Sequence, residues 1–342
     1  MVRVGLAGLG FMGGTHAQCY AALPNAKLVA VADPEPDRRK QFADTYGCKA
    51  FPSVEELVAS DIDMVDVCMP TYLHEQAVTT AAAAKKHVLC EKPMALTAAD
   101  CDAMIAAVKR AGVHFLVGHV IRFWPEYAAI KRILDSGRYG KVRWASAVRL
   151  SPPPTWAWKG WLTDPTLSGG AVLDLHIHDL DCLAWILGMP KTISAAAVRA
   201  ATGGLDNVWT TTTGHPNRAV GFAEGSLDMP AGFPFTMGLK VVLEGASIEF
   251  SSRLSPSVLI ALPDGSVEHP EVPQPEVPAT AGAGSAGNIS ALGGYFVEVK
   301  YFVDCVEKGE APTVVTPEEA KDAVALCVAA AESAVAGRPV SL

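Results

Sequence analysis

Short apolar runs alternate with amphipathic segments through the first 120 residues of the chain. The segments at 73–86 and 97–112 have helical periodicity, and a capping box at Ser53 and Glu56 predicts a further helix start. The apolar runs that separate the helical segments are VRVGLA, KLVAVAD, DMVDVCM, HVLCEK and VHFLVGHV. Strands that alternate with helices in this way predict a parallel, doubly wound α/β sheet.

The pattern changes to period-2 alternation beyond a predicted helix at 125–136. These runs are typical of strands with few helices between them, and they lie at 141–150, 192–200, 219–229, 235–244 and 246–252. A sheet exposed on one face is costly for a monomer, so we expect a partner subunit to cover it.

The end of the chain contains one predicted loop and two predicted helices. Residues 263–294 are rich in Pro, Ala, Gly and Ser with little apolar periodicity, which predicts a long mobile loop, either a lid or an oligomer arm. Amphipathic helices are predicted at 295–309 and 316–337.

One stretch, GGAVLDLHIHDLDCLAWILG at Gly169–Gly188, combines acids, imidazoles and apolar residues in a helical pattern. A continuous helix places Asp174, His178 and Asp181 on one face, directed into a cleft, while His176 points elsewhere, either to the surface or to a neighbouring subunit or loop. The neighbouring apolar stripe consists of Leu173, Ile177, Leu180, Ala184 and Leu187. Taken alone, a surface histidine with an acidic neighbour is the more ordinary explanation of D-x-x-x-H.

Length, charge and cysteine usage limit the class of protein. The 342 residues, half of them apolar, suffice for two domain cores, and the net charge of -8 argues against nucleic-acid or anionic-membrane partners. We therefore expect a small-molecule ligand. The chain has no apolar run of membrane-spanning length and begins directly with a strand-like segment, which predicts a cytoplasmic protein. Eight cysteines without a C-x-x-C pair predict free thiols and no metal site.

A glycine motif follows the first predicted strand and opens the first predicted helix. Within Gly8-Leu9-Gly10-Phe11-Met12-Gly13, Gly8 makes the tight turn, Gly10 lets the backbone approach a pyrophosphate, and Gly13 lets the helix pack on its strand. The helix N-terminus, with Phe11 and Met12, supplies an anion site. The motif predicts dinucleotide binding.

The end of the second predicted strand indicates which dinucleotide binds. Asp33 lies twenty positions beyond Gly13, where a carboxylate can bind the adenine-ribose hydroxyls. A carboxylate repels a 2′-phosphate, and Pro34 offers no positive charge, so the sequence favours NAD over NADP. Arg38 either stacks on the adenine or is simply solvated.

Further candidates fall at the carboxyl ends of the later strands, where ligands bind in doubly wound sheets. Pro70 and Thr71, with His74 nearby, follow the third apolar run, and Glu91 and Lys92 follow the fourth. A lysine after a buried strand, held by Pro93, is expected to place a cation beside nicotinamide and substrate.

Aromatic residues near two segment boundaries suit a sugar ring. Trp156, Trp158 and Trp161 lie with Lys159 in a Pro-rich loop, where they either contact the C–H faces of a sugar or anchor the loop. Two roles, substrate contact and a domain hinge, are also open for Arg122, Trp124 and Tyr127.

These segments together resemble the glucose-fructose oxidoreductase/inositol dehydrogenase/rhizopine-catabolism (Gfo/Idh/MocA) family. The matching pieces are GLGFMGGTH, PTYLHEQAV, KHVLCEKPMAL, VGHVIRFWPEY and GGAVLDLHIHDLDCLAWILG, in the family's order. The resemblance implies an NAD-binding Rossmann domain at 1–121. It also implies an α+β domain at 122–342 with a large, mostly antiparallel open sheet for substrate binding and for assembly as a homodimer or homotetramer.

The resemblance also implies an activity, namely hydride transfer between a nicotinamide nucleotide and a hydroxyl of a sugar or cyclitol. By motif, Lys92 is the catalytic lysine, Asp174 its acidic companion and His178 the proton acceptor. The position of His176 is often a small residue in the family. Two alternatives stay open: some relatives cleave glycosides by transient oxidation and return NAD unchanged, and others are non-catalytic sensors, which are expected to lack the lysine and histidine.

Overall fold

The computed structural model describes residues 1–200, 203–277 and 292–342, and the chain folds into two compact units. The first unit comprises Met1–Phe123, Trp156–Trp161 and Pro275–Lys321. The second comprises Trp124–Thr155, Leu162–Gln274 and Asp322–Leu342. Each unit is therefore assembled from three separate stretches of the chain.

The first unit contains a six-stranded parallel sheet in the order β3-β2-β1-β4-β5-β6. Its strands are β1 Val2–Ala7, β2 Ala26–Ala32, β3 Lys49–Phe51, β4 Met64–Val67, β5 His87–Glu91 and β6 Phe115–Gly118. The intervening α-helices are α1 Phe11–Ala22, α2 Pro36–Tyr46, α3 Val54–Val58, α4 His74–Ala83 and α5 Ala98–Ala111. This arrangement confirms the predicted doubly wound α/β sheet.

The central strand β4 and the edge strand β6 of this sheet are covered on both faces. Every residue of β4 and β6 is buried, which is the environment that continuous apolar strands favour. Local signals set the helix ends: the Thr97 side chain accepts the Asp100 N–H at the start of α5, and Gly112 ends it in the left-handed conformation. Ser53 caps α3 in the same way, by accepting the Glu56 N–H, so the predicted cap there is confirmed.

The second unit contains a nine-stranded sheet in the order β14-β13-β12-β11-β7-β10-β9-β8-β15, antiparallel except where β7 pairs with β10. The strands are β7 Val142–Leu150, β8 Thr192–Val198, β9 Asn207–Thr213, β10 Val220–Ser226, β11 Thr236–Leu243, β12 Ser247–Ser251, β13 Val258–Ala261, β14 Val267–Glu268 and β15 Val340–Ser341. The helices that precede β8 are α6 Pro125–Asp135, α7 Pro165–Ser168, α8 Gly170–Asp174 and α9 Ile177–Leu187.

The final helices are α10 Gly293–Lys308 and α11 Pro317–Ala336, close to their predicted bounds. Helix α10 packs in the first unit, where the Asn25 side chain donates to Asp304 at 3.0 Å. The predicted loop at 263–294 is corrected at both ends, because β14 and the start of α10 fall within it. Its residues 278–291 lie outside the described part of the chain.

The eight cysteines are free, as predicted. Among the described residues, no helix combines the length and hydropathy needed to cross a membrane.

Candidate active site

The β1–α1 loop has the tight geometry that the glycine motif predicts. Gly8 has a φ of 88°, and a Cβ there would lie 2.6 Å from the Cys68 carbonyl oxygen. A Cβ on Gly13 would lie 2.0 Å from the Gly8 carbonyl oxygen, so only glycine permits this approach. A Cβ on Gly10 meets nothing within 4 Å. The loop therefore has no space for a side chain at Gly8 or Gly13. It is open at Gly10, beside the N-terminus of α1, as an anion site requires.

Asp33, at the end of β2, is only 5% exposed and holds this loop. Its Oδ2 accepts the Leu9 N–H at 2.8 Å and its Oδ1 accepts the Glu35 N–H at 2.9 Å. Each carboxylate oxygen keeps a second acceptor site. The carboxylate thus orders the glycine loop, a role that the sequence did not predict, while capacity for a ribose hydroxyl remains.

The sequence left two roles open for Arg38, stacking on the adenine or full solvation. Its Nη1 is 3.9 Å from Asp33 Oδ2, and its guanidinium carbon is 5.9 Å from the centroid of the Trp158 ring. The side chain is one-third exposed. Arg38 is therefore held near Asp33 rather than fully solvated.

The Trp156–Trp161 segment belongs to the first unit. The Trp156 ring lies 4.6 Å from that of Phe11, and Lys159 Nζ lies 4.3 Å above the Trp158 ring and 3.5 Å from the Glu35 carboxylate. Trp158 and Trp161 are partly buried. Trp156 and Trp158 thus contact residues of the predicted cofactor region, which supports the anchoring alternative for this loop over direct sugar binding.

The ends of β4 and β5 are connected by His74. It is 1% exposed, with Nδ1 2.8 Å from the Pro93 carbonyl oxygen and Nε2 2.8 Å from the Met69 carbonyl oxygen. Burial lowers its pKa. Both nitrogens thus face backbone carbonyl oxygens, to one of which a neutral ring donates, and this supports a structural role in place of the predicted cofactor contact. Thr71, with Pro70 before it, is 2% exposed, and its hydroxyl has no hydrogen-bond partner among the described residues.

Lys92 leaves the end of β5 directly after a buried run, as predicted. Glu91 is 5% exposed, and its Oε2 accepts the Lys92 backbone N–H at 3.0 Å. The Lys92 side chain is partly exposed while Pro93 is buried. The backbone of the lysine is therefore anchored, while the residue as a whole is only partly buried.

In the second unit, the helix predicted at Gly169–Gly188 is interrupted. Helix α8 ends at Asp174 and α9 starts at Ile177, so the i, i+4 argument that placed Asp174 and His178 on one helix face is wrong. Asp174 and His178 are nevertheless partly exposed, whereas the other residues from 174 to 181 are buried. Asp181, predicted on the cleft face, is 1% exposed.

His176 is wholly buried, contrary to the predicted surface role. Its Nε2 lies 3.0 Å from Thr210 Oγ1 in β9, and a Cβ on Gly225 of β10 would lie 2.7 Å from its Nδ1. Burial, and secondarily the charge of Arg149, lowers the pKa of His176 to about 3. The ring is therefore a neutral part of the core.

Two side chains that the sequence did not single out form a buried ion pair beside α9. Arg149 of β7 contacts both carboxylate oxygens of Asp179 at 3.2 Å, and the two side chains are 4% and 0% exposed. Tyr127, 1% exposed, lies with its hydroxyl 3.5 Å from Arg149. The predicted substrate contact of Tyr127 is therefore replaced by a role in the core.

Arg122 is also occupied by protein atoms. It is 5% exposed, and its Nη1 lies 3.0 Å from the Val314 carbonyl oxygen and 3.1 Å from the Glu319 carboxylate. This favours the structural alternative over substrate contact. Trp124, two residues further along the chain, is partly exposed, so substrate contact and a domain hinge both stay open for it.

The residues of the first unit fit a bound dinucleotide. The open space at Gly10, the start of α1, the spare acceptor capacity of Asp33 and the unpartnered Thr71 hydroxyl together supply an anion site, a ribose acceptor and a hydrogen-bond donor. The sequence missed His16, Asp66 and Glu298 of this unit, because the contacts of a buried polar side chain lie far away in sequence.

Comparison with known proteins agrees with this geometry. Residues 2–119 match an oxidoreductase family with an NAD-binding Rossmann fold, and residues 127–249 match the GFO/IDH/MocA C-terminal domain. Together the two matches span more than two thirds of the chain.

Individual relatives show the same likeness. The chain is 35% identical over 196 residues to 2,7-anhydro-N-acetylneuraminate hydratase of Escherichia coli, covering 57% of this chain and 52% of that protein. It is 36% identical over 191 residues to myo-inositol 2-dehydrogenase of Thermotoga maritima, covering 55% of each chain. The matched stretch thus spans about half the length of these relatives.

A candidate myo-inositol dehydrogenase of Sinorhizobium meliloti, known from its crystal structure, matches over the whole chain. The TM-score is 0.82 at 27% identity, with 100% of this chain and 99% of that chain covered. The two domain matches, the strand order and the glycine-loop geometry agree, and the chain belongs to the GFO/IDH/MocA oxidoreductase family, whose N-terminal domain is an NAD-binding Rossmann fold.

Proposed function

We propose that the protein is an NAD-dependent dehydrogenase that oxidises a secondary hydroxyl of a sugar, sugar derivative or cyclitol. The observation that carries the proposal is the relation between two strand ends of one parallel sheet. The β1–α1 loop is shaped for a dinucleotide, and the anchored Lys92 leaves β5 at the same edge. The match to a relative named myo-inositol 2-dehydrogenase supports the substrate class.

The side chains divide the work of removing a proton and a hydride from the alcohol. NAD, when bound, accepts the hydride. His178 takes the hydroxyl proton, since imidazole is the side-chain group most often used as a general base at neutral pH. Lys92 hydrogen-bonds the reacting oxygen and stabilises its developing negative charge, and Asp174 orients the lysine and histidine. His178 and Asp174 are accessible while their neighbours are buried, which supports this assignment.

A second candidate is an enzyme that oxidises its substrate only transiently and returns the cofactor unchanged. It is favoured by the match to a protein named as a hydratase, since hydration of a sugar anhydride involves no net oxidation. The two candidates differ in one observable, because only the dehydrogenase accumulates NADH from a free sugar or cyclitol.

We further propose that the sheet of the second unit joins subunits in a homodimer or homotetramer. Three large apolar side chains on β8, β9 and β10 are exposed in the single chain: Val198 by 57%, Trp209 by 44% and Phe222 by 42%. Exposed apolar patches of this kind mark protein interfaces. In this proposal residues 1–121 serve as the NAD domain, and residues 122–342 bind the substrate and form the assembly. A cytoplasmic location is a separate proposal, supported by the free cysteines.

The proposal is tested by incubating the protein with NAD and a panel of free cyclitols, aldoses and their acids while following absorbance at 340 nm. We expect NADH to form in stoichiometric amounts with at least one secondary alcohol of this class. Substrate turnover without NADH would favour the transient-oxidation enzyme. Binding of a panel member without turnover would favour a sensor.

A further inference from the structure

A buried group of ionisable side chains lies in the first unit outside the roles assigned so far. His16, Asp66 and Glu298 are 0% exposed, and Glu91 is 5% exposed. His16 Nδ1, on α1, lies 2.8 Å from Asp66 Oδ2 in β4. His16 Nε2 lies 3.2 Å from Glu91 Oε1 at the end of β5. One imidazole thus connects the carboxylates of two neighbouring strands.

The contacts continue in both directions from this imidazole. The Tyr20 hydroxyl donates to Asp66 Oδ2 at 2.8 Å, which fixes the carboxylate from the side of α1. Glu91 Oε2 accepts the backbone N–H of Lys92 at 3.0 Å. A series of direct contacts therefore joins the core of the sheet to the backbone of Lys92.

His16 Nδ1 is within hydrogen-bond distance of Asp66 Oδ2, whereas Nε2 approaches Glu91 Oε1 to 3.2 Å as an ion pair without hydrogen-bond geometry. Burial alone lowers the pKa of His16, but the Asp66 carboxylate and its hydrogen bond raise it well above the ordinary value, which favours the imidazolium. The positive charge on His16 then attracts the Glu91 carboxylate as well as that of Asp66.

Glu298 on α10 completes the group, in surroundings that favour its neutral acid form. Neither of its carboxyl oxygens has a hydrogen-bond partner within the described ranges, and burial, together with the Glu91 charge, raises its pKa. A Cβ on Gly118 would lie 3.5 Å from both Glu298 Oε2 and Glu91 Cα, which is ordinary van der Waals contact and shows that the Glu298 carboxyl lies close to the end of β5. Protonated Glu298 packs against Glu91 without competing for the charge of His16.

We propose that His16 is a positioning residue for Lys92: it fixes the Glu91 carboxylate, which in turn fixes the backbone N–H of the lysine. The inference rests on the proposed function, in which Lys92 binds the reacting oxygen. Misplacement of a reacting group by about 1 Å costs about a hundredfold in rate, so a loose Glu91 reduces turnover even where both ligands still bind.

The test compares turnover with stability in His16→Gln, measured in the full chain with NAD and the active panel compound. We expect kcat to fall about tenfold or more, with the Kd for NAD and the KM for the alcohol within about threefold of wild type. His16→Gln/Asp66→Asn also removes the buried carboxylate that has lost its positively charged neighbour. We expect this double variant to regain thermal stability while kcat stays low. Parallel recovery of Tm and kcat would show a purely structural role and overturn the proposal.

Two variants keep the test decisive where His16→Gln does not fold. Glu91→Gln leaves His16 paired with Asp66 but weakens its hold on residue 91, so it should reproduce the loss of kcat, and wild-type kcat would overturn the proposal. Glu298→Gln is the matched control from the same group. Because an amide replaces a neutral acid of the same shape, we expect near-wild-type kcat and Tm.

The outcome is separable from that of the proposed function. Near-wild-type turnover in Lys92→Met would defeat the proposed function itself, whatever His16 does. Loss of turnover in Lys92→Met with wild-type kcat in Glu91→Gln would defeat the positioning role alone. The ligand atoms of His16, Glu91 and Glu298 lie within 4.8 Å of one another, so one divalent cation per chain, found by elemental analysis, would also overturn the proposal.

Discussion

The Nε2 atom of His176 lies 3.0 Å from the Thr210 hydroxyl oxygen, and both side chains are buried between α9 and the sheet of the second unit. The ring also lies against Gly225, where any side chain would collide with it. The histidine that the sequence places at the surface is therefore a packing residue, while its neighbour His178 keeps access to solvent.

The burial of His176 predicts a loss of stability in acid. The pKa of the folded protein's His176 is about 3, whereas the unfolded chain takes up this proton near the ordinary value of about 6.5. The unfolded state thus binds more protons in this window, and the stability due to His176 falls as pH drops from about 6.5 toward about 3. The slope approaches about 1.4 kcal/mol per pH unit.

Urea unfolding of wild type and His176→Gln from pH 7 to pH 4 measures this contribution. We expect wild type to be the more stable at pH 7 and the difference to shrink steadily as the pH falls. His269→Gln, at an exposed position of the same unit, is the matched control and should leave the curve unchanged. A wild-type advantage that stays constant with pH would contradict the account.

Three glycines of the first helix region are predicted to differ sharply when replaced by alanine. Gly13→Ala places a Cβ within 2.0 Å of a carbonyl oxygen and should destabilise the protein by about 2 kcal/mol or more. Gly14→Ala meets nothing within 4 Å inside α1 and should stabilise the protein by about 0.5–1 kcal/mol.

Gly10→Ala should fold normally but bind NAD weakly, because its Cβ enters the space in which we expect the pyrophosphate. Thermal unfolding with and without NAD checks all three, and equal NAD affinity in Gly10→Ala and wild type would show that the pyrophosphate lies elsewhere.

Removing one member of the Arg149–Asp179 pair should be far more harmful than removing an exposed charge. Arg149→Met strands a buried carboxylate and should cost about 3–5 kcal/mol of unfolding free energy. Arg149→Met/Asp179→Leu removes both charges and should recover most of that loss. Lys40→Ala, from an ion pair whose side chains are 76% and 64% exposed, is the control and should leave the unfolding free energy almost unchanged. A small effect of Arg149→Met would mean that solvent reaches Asp179.

Asp33 should make the enzyme prefer NAD over NADP by at least about tenfold in kcat/KM, since a phosphate beside a carboxylate costs more than about 1.4 kcal/mol. Asp33→Ser/Pro34→Arg should relax or reverse the preference. Because Asp33 also holds the Leu9 and Glu35 N–H groups, we expect a lower Tm as well, and Pro34→Arg alone is the control for folding. Steady-state kinetics with both cofactors decide the matter. Equal efficiency in wild type would show that the carboxylate serves the loop alone.

The sequence was sufficient where neighbours along the chain determine the structure. The strand, glycine turn and helix around Gly8 and Gly13, and the emergence of Lys92 from β5, depend on local apolar runs and on backbone conformations that few residues permit. The β9 strand NVWTTTT was missed, because its threonines give little hydrophobic contrast.

The sequence was insufficient where the outcome depends on distant partners. The break between Asp174 and Ile177 does not disturb the apolar stripe, so periodicity could not reveal it. The burial of Arg149, His176 and His16 is stabilised by groups on other elements that no local pattern identifies. Polar residues were accordingly assigned to a surface or ligand when their partners were inside the protein.

The most direct test of the central claim is the rate of hydride transfer in a single turnover with NAD and the active alcohol. Lys92→Met and His178→Ala should each slow NADH formation by about a hundredfold or more while NAD binding and Tm stay near wild type, because both side chains are accessible rather than part of a core. Asp174→Asn should be milder. NADH formation at the wild-type rate in either Lys92→Met or His178→Ala would contradict the account.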